Sequence, residues 1–235
     1  MAPLGRSIAL AAGCGLLAVA VLARLIGPSL QAGAMYGLRS MAVFTAMMLA
    51  AGATIGGRHP FLRFGPANQV TTIRAMLVAL VAGAVVEPVT SGTAWWVIGA
   101  AALMAALDGI DGWLARRTGM ASPFGAWFDV ETDALLILIL SVFVWRYEKA
   151  GAWVVACGLM RYAFVAGGWI LPWLAGPLPP TLRGKTVAVA TLAGLSVALA
   201  PTVPAPISRV MAAMTLLALA GSFAVDVGRL RHGEG

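Results

Sequence analysis

Five of the nine acidic residues in this chain fall within one window of 26: Asp108, Asp111, Asp129, Glu131 and Asp133. Asp108 and Asp111 stand three apart, and Asp129 and Asp133 four apart, so each pair shares one face of a helix. Glu131 is two residues from both Asp129 and Asp133, points elsewhere, and is read as peripheral. Four converging carboxylates repel one another, so their proton affinities rise or cations settle between them. Oxygen-only donors suit hard divalent ions, and two ions of Mg²⁺ or Mn²⁺ would balance four carboxylates. Nothing supports zinc. Cys14 and Cys157 lie in apolar runs and read as buried, space-filling thiols. His59 and His232 are far apart and read as solvated or interfacial. Gly112 and Ala115 leave room beside the acids, where larger side chains would block a nucleotide. Gly125 could allow a close helix approach, and Arg116, one turn past Asp111, can meet a phosphate. The chemistry indicated is metal-dependent work on a phosphate-bearing substrate.

The elements that position these acids follow from composition. Apolar residues make up 60% of the chain and charged residues 11%, against about 25% charged in soluble domains. Mean hydropathy is +0.90, so most of the surface faces something other than water. Eight apolar runs, 8–27, 36–56, 70–86, 94–111, 127–145, 151–174, 186–201 and 207–226, are long enough to cross a bilayer as helices. None alternates as a strand would. The first run is read as a retained helix and not as a leader, because only Arg6 precedes it. The expected fold is all-α: a polytopic integral membrane protein with a helix pair in residues 1–58 followed by residues 59–235. A buried acid in such a helix costs about 2.5–3.5 kcal/mol at the centre of the layer and less near its edge. Four in one place imply a use. Asp108 and Asp111 end one helix, and Asp129 and Asp133 begin the next. A basic loop is expected between them.

Net charge is +7, but the arginines are spaced between apolar runs and form no patch, so a nucleic-acid partner is not expected. With the N-terminus cytoplasmic, Arg6, Arg58, Arg63, Arg116, Arg117, Arg183, Lys185, Arg229 and Arg231 lie inside. Arg24, Arg39, Arg146, Lys149 and Arg209 lie outside. That bias places both termini, and the acids, at the cytoplasmic face.

The run from Asp108 to Asp133, DGIDGWLARRTGMASPFGAWFDVETD, resembles the CDP-alcohol phosphotransferase family. The family pattern D-x2-D-G-x2-A-R-x8-G-x3-D-x3-D is met with every spacing intact by Asp108, Asp111, Gly112, Ala115, Arg116, Gly125, Asp129 and Asp133. Asn68, Thr71 and Arg74 in NQVTTIR resemble the family's N-x-x-T-x-x-R element, and Lys185 in RGKTVAV resembles the start of a later helix. The resemblance covers roughly residues 59–226 as a six-helix catalytic core, with the first two transmembrane helices outside it. It implies two divalent metals held by Asp108, Asp111, Asp129 and Asp133, with Asp133 also the general base. It implies a CDP pocket lined by Gly112, Ala115 and Arg116, and a role for Asn68, Thr71 and Arg74 at the donor phosphates or the acid cluster. It also implies a homodimer in a bacterial or archaeal cell membrane, using CDP-diacylglycerol and a small polar alcohol among the membrane lipids.

The acceptor is read from Arg161, which lies about ten residues into its span, where an isolated arginine usually faces a cavity or a partner. With Arg183 and Lys185 it could bind a phosphate on the acceptor. Glycerol 3-phosphate is the expected acceptor. Inositol phosphate and an unphosphorylated polar alcohol are alternatives. A metal-ion transporter is the alternative of another class, but its acids would sit near the midplane and would not need Gly112, Ala115 and Arg116 beside them.

Overall fold

Every regular element among the described residues is helical. The computed structural model describes residues 3–176 and 181–231; His232 lies outside them. The chain divides into two compact units, Met1–Asp133 and Ala134–Gly235.

The first unit holds α1 (Pro3–Ile26), α2 (Tyr36–Thr54), α3 (Pro66–Gly83), α4 (Ser91–Thr118) and the start of α5 (Pro123–Arg146). The second holds the rest of α5, then α6 (Ala156–Ile170), α7 (Leu182–Leu199) and α8 (Ala205–Arg231). Among the described residues, seven stretches, built on α1, α2, α3, α4, α6, α7 and α8, are long and apolar enough to cross a membrane. The remaining long helix, α5, has 24 residues; Asp129, Glu131 and Asp133 in its first half take it outside that composition. The protein is an all-α, polytopic membrane protein.

Within the first unit α3 is the central helix. It packs against α1, α2 and α4, and ten of its 18 residues are buried, which leaves it little lipid-facing surface. Pro66 opens it at a position where a missing N–H costs nothing. Beyond its end, the buried Glu87 accepts from the Gly33 amide at 2.7 Å and pairs with Arg39. That carboxylate joins the loop after α1 and the start of α2 to the end of α3. Cys14, expected to be buried, is exposed on α1: that helix buries only Gly15, Val19 and Ala23, and Cys14 lies off this stripe.

Two expectations change at the turn between α4 and α5. Arg116 and Arg117 are not in a loop; they form the last turn of α4. No proline interrupts α4 before Gly119, which leaves the helix with φ +65°, and cations at a helix C-terminus complement its dipole. Arg117 also lies over the Trp113 ring at 4.8 Å. Ser122 then caps α5, its hydroxyl accepting from the Gly125 amide at 3.1 Å. His59, read as solvated or interfacial, is buried. Its Nδ1 lies 3.0 Å from Ser122 Oγ and its Nε2 2.9 Å from the Arg63 carbonyl. Its ring meets Phe61 and Phe124 edge-on. Both ring nitrogens are satisfied inside the protein, so the imidazole has no need of water.

In the second unit α7 and α8 pack along each other and α6 packs on α8. Thr181 caps α7 through the Gly184 amide at 3.1 Å. Lys149 donates to the Ala200 carbonyl at 3.0 Å and also to that of Val203, which holds the α7–α8 turn.

Candidate active site

The site begins with two helical stripes. On α4, Asp108, Asp111, Gly112 and Ala115 follow the i, i+3, i+4, i+7 spacing of one face. On α5, Gly125, Asp129 and Asp133 recur every four residues and share another. The small residues follow the acids toward the turn, so each stripe runs from carboxylates to open backbone. Asp108, Asp111 and Asp129 each present an oxygen, and these atoms lie within 4.8 Å of one another.

A third helix supplies the counter-charge. Arg74 of α3, its side chain only 1% exposed, reaches all four motif aspartates. Its Nη1 lies 3.3 Å from Asp108 and 2.7 Å from Asp111, and also pairs with Asp129. Asp133 is held by the other terminal nitrogen, Nη2. One turn earlier on α3, the Thr71 hydroxyl donates to Asp111 at 3.3 Å. Asp111 is buried, whereas Asp129 keeps a third of its side-chain surface open, so the cluster has a closed back and an accessible front.

Asn68, one further turn back on α3, donates to the Phe64 carbonyl and turns its Oδ1 toward Gly125. A Cβ at Gly125 would come within 2.9 Å of that oxygen and 3.4 Å of Ser122 Oγ. Glycine is therefore what lets the start of α5 lie against α3. Arg116 is exposed and folds back over its own helix: its Nη1 would be 3.4 Å from a Cβ at Gly112. Glu131 is absent from the trio of converging oxygens.

The residues read for the acceptor lie in the second unit. Arg161 sits part-buried in α6. Arg183 donates to the Ser222 carbonyl at 2.8 Å and pairs with Asp226, both on α8. Lys185, two positions on and so about 200° round the helix, lines a shallow cavity with Leu182, Thr186 and Val189. Arg183 and Lys185 therefore leave α7 on different faces.

The position of Arg74 carries a signal in the sequence. An arginine inside a largely apolar span needs a partner, and that signal, applied to Arg161, applies equally to Arg74.

Residues 64–224 match the family described as CDP-alcohol phosphatidyltransferase. The chain belongs to that family. The match takes in α3 through most of α8 and so includes every residue of the acidic site. No curated protein and no solved structure matches the chain.

A CDP-alcohol phosphatidyltransferase with this cluster has a site fit for divalent cations. Every converging donor is a carboxylate oxygen, the choice of hard ions such as Mg²⁺. Four carboxylates and one guanidinium leave a net charge of −3 by simple count, which a cation can offset. Asp108, Asp111 and Asp129 are the residues placed to hold it. The enzyme's reaction is of the CDP-alcohol phosphatidyltransferase type, on a CDP-diacylglycerol-type donor.

Proposed function

We propose that the protein transfers the phosphatidyl group of CDP-diacylglycerol to glycerol 3-phosphate and releases CMP, making a phosphatidylglycerophosphate. The observation that carries the transfer reading is the meeting of α4 and α5 carboxylates around Arg74, within a stretch that belongs to this family.

Asp108, Asp111, Asp129 and Asp133 would hold two divalent ions, Mg²⁺ or Mn²⁺. When bound, such ions neutralise charge on the transferring phosphoryl group and on the departing nucleotide. Arg74 and Thr71 hold the carboxylates together and oriented before substrate arrives. Gly112 and Ala115 leave the α4 stripe bare for the nucleotide, Arg116 donates to its phosphates, and Asn68 and Gly125 set the spacing of α3 and α5 beside it. Asp133 accepts the proton of the acceptor hydroxyl as that oxygen attacks the β-phosphorus. The bond from phosphorus to the CMP oxygen breaks, CMP leaves with the electron pair, and phosphorus inverts. A diacylglycerol tail can remain in lipid while its headgroup reaches the acids at the helix ends.

The acceptor phosphate falls to Arg161, Arg183 and Lys185. The pair with Asp226 fixes the Arg183 guanidinium, and a fixed fork loses less freedom on meeting phosphate. Lys185 leaves α7 on another face and is tested separately. Residues 1–58 form an accessory helix pair and residues 59–235 the catalytic part, with the acids facing the cytoplasm of a bacterial or archaeal cell and the chain acting as a homodimer.

Purified protein given labelled CDP-diacylglycerol, Mg²⁺ and a panel of alcohols tests the acceptor. Release of CMP with glycerol 3-phosphate is expected. Turnover with serine or free inositol, and with neither glycerol 3-phosphate nor inositol phosphate, would contradict it.

A further inference from the structure

The first unit contains a cavity of about 580 Å³ where the start of α1 meets the start of α3. Arg6 and Arg63 line it, together with Leu10, Phe64, Gln69 and Met120. Among the described residues no carboxylate lines it and neither arginine forms an ion pair. Its wall is fastened: the Phe64 amide donates to Ser7 Oγ at 3.2 Å, which ties the first turns of α1 to the strand of chain entering α3. The first turn of α3 also lines it, at Pro66 and Gln69.

Two features separate this cavity from the acidic site. Gln69 and Arg74 lie five residues apart on α3, about 140° round its axis, so cavity and acids use different faces. The α1 part of the wall, Pro3 to Leu10, precedes the stretch that matches the family. Depth identifies the occupant. Two candidate spans, Pro3–Leu30 and Pro66–Val86, both begin at this cavity, which puts it at one edge of the hydrocarbon layer. A pair of unmatched guanidinium groups beside Leu10, Phe64 and Met120 at that depth suits a molecule with an anionic head and an apolar body.

We propose that this cavity binds the headgroup phosphate of an anionic phospholipid between Arg6 and Arg63, with its chain lying along the Leu10 side of α1. This gives the first helix a ligand of its own, and it does not rest on the acceptor assigned above.

The test is native mass spectrometry of the full-length protein in detergent, titrated with dioleoylphosphatidylglycerol or dioleoylphosphatidylcholine. Phosphatidylglycerol should bind preferentially. Arg6→Gln and Arg63→Gln should each weaken that preference about tenfold, and Arg6→Lys and Arg63→Lys should keep most of it. Leu10→Gln should weaken lipid binding with both arginines intact, and it serves as the check if an arginine variant folds poorly. Equal binding of phosphatidylglycerol by wild type and both Gln variants would overturn the proposal. So would complete displacement of the lipid by millimolar inorganic phosphate, because the site would then read free phosphate and not a lipid.

Discussion

Arg74 Nη1 lies 2.7 Å from Asp111 Oδ2, with side chains only 1% and 6% exposed. The two come from different helices, α3 and α4, and the same guanidinium also pairs with Asp129 and Asp133 of α5. One arginine thus sets the distance between the two acidic stripes, and it acts as a built-in cation before any other arrives.

Arg74→Ala should therefore destabilise the protein and make its stability depend on metal. Removing one partner from a buried charge group costs about 3–5 kcal/mol, because the remaining charges stay buried and uncompensated. Thermal unfolding in detergent should show a lower midpoint for Arg74→Ala. Added Mn²⁺ should raise that midpoint more in the variant than in wild type. Arg74→Lys keeps the charge but loses the fork to Asp133 and should fall between them.

Asp133 and Asp111 should separate in their effects. Asp133 is held by a different nitrogen of Arg74 from the other three acids and lies outside the trio of converging oxygens. Asp133→Asn should lower the rate of CMP release by about 10²–10⁴-fold, the usual worth of a general base, with a smaller change in the Mg²⁺ concentration needed. Asp111→Asn should raise that Mg²⁺ requirement strongly. Near-normal turnover by Asp133→Ala would remove Asp133 from the chemistry.

Gly125 should be replaceable only if Asn68 gives way. A methyl there would lie 2.9 Å from Asn68 Oδ1, and overpacking of this kind costs about 1–3 kcal/mol. Gly125→Ala should lower both thermal stability and transfer rate. The double variant Asn68→Ala/Gly125→Ala should recover part of the stability, and a double-mutant cycle on unfolding midpoints would measure the coupling.

The acceptor residues should differ from one another in steady-state kinetics. Arg161→Gln and Arg183→Gln should raise the KM for glycerol 3-phosphate about tenfold or more, as expected when a hydrogen bond to a charged group is lost. The KM for the CDP-linked donor should hardly move. Arg183→Gln also loses its pair with Asp226, so Asp226→Asn is the control for a merely structural effect. Lys185→Gln, on the other face of α7, shows whether that residue belongs to the acceptor site at all.

Much of the fold was legible because lipid imposes one solution on apolar runs. Helix ends were less legible, since hydropathy stops where the membrane does and the helix does not. α4 continues through Asp108, Arg116 and Thr118 to Gly119 because no proline interrupts it before that glycine. α3 begins at Pro66, four residues before its apolar run. The i, i+3 and i, i+4 spacing was enough to put the acids on two stripes. It could not say that Arg74 would lie between them, because that depends on which helix packs against α4. The burial of His59 was also out of reach, because its partners are Ser122 and a carbonyl in its own loop. The divergence of Arg183 and Lys185 was readable, since residues two apart on a helix do not face one way.

The most direct test of the account is an anomalous diffraction map from crystals of the protein grown with Mn²⁺ and a CDP-linked lipid. Manganese peaks bound jointly by Asp111 of α4 and Asp129 of α5, beside the pyrophosphate, are the expected result. A map in which the carboxylates of α4 and α5 share no ion would contradict it.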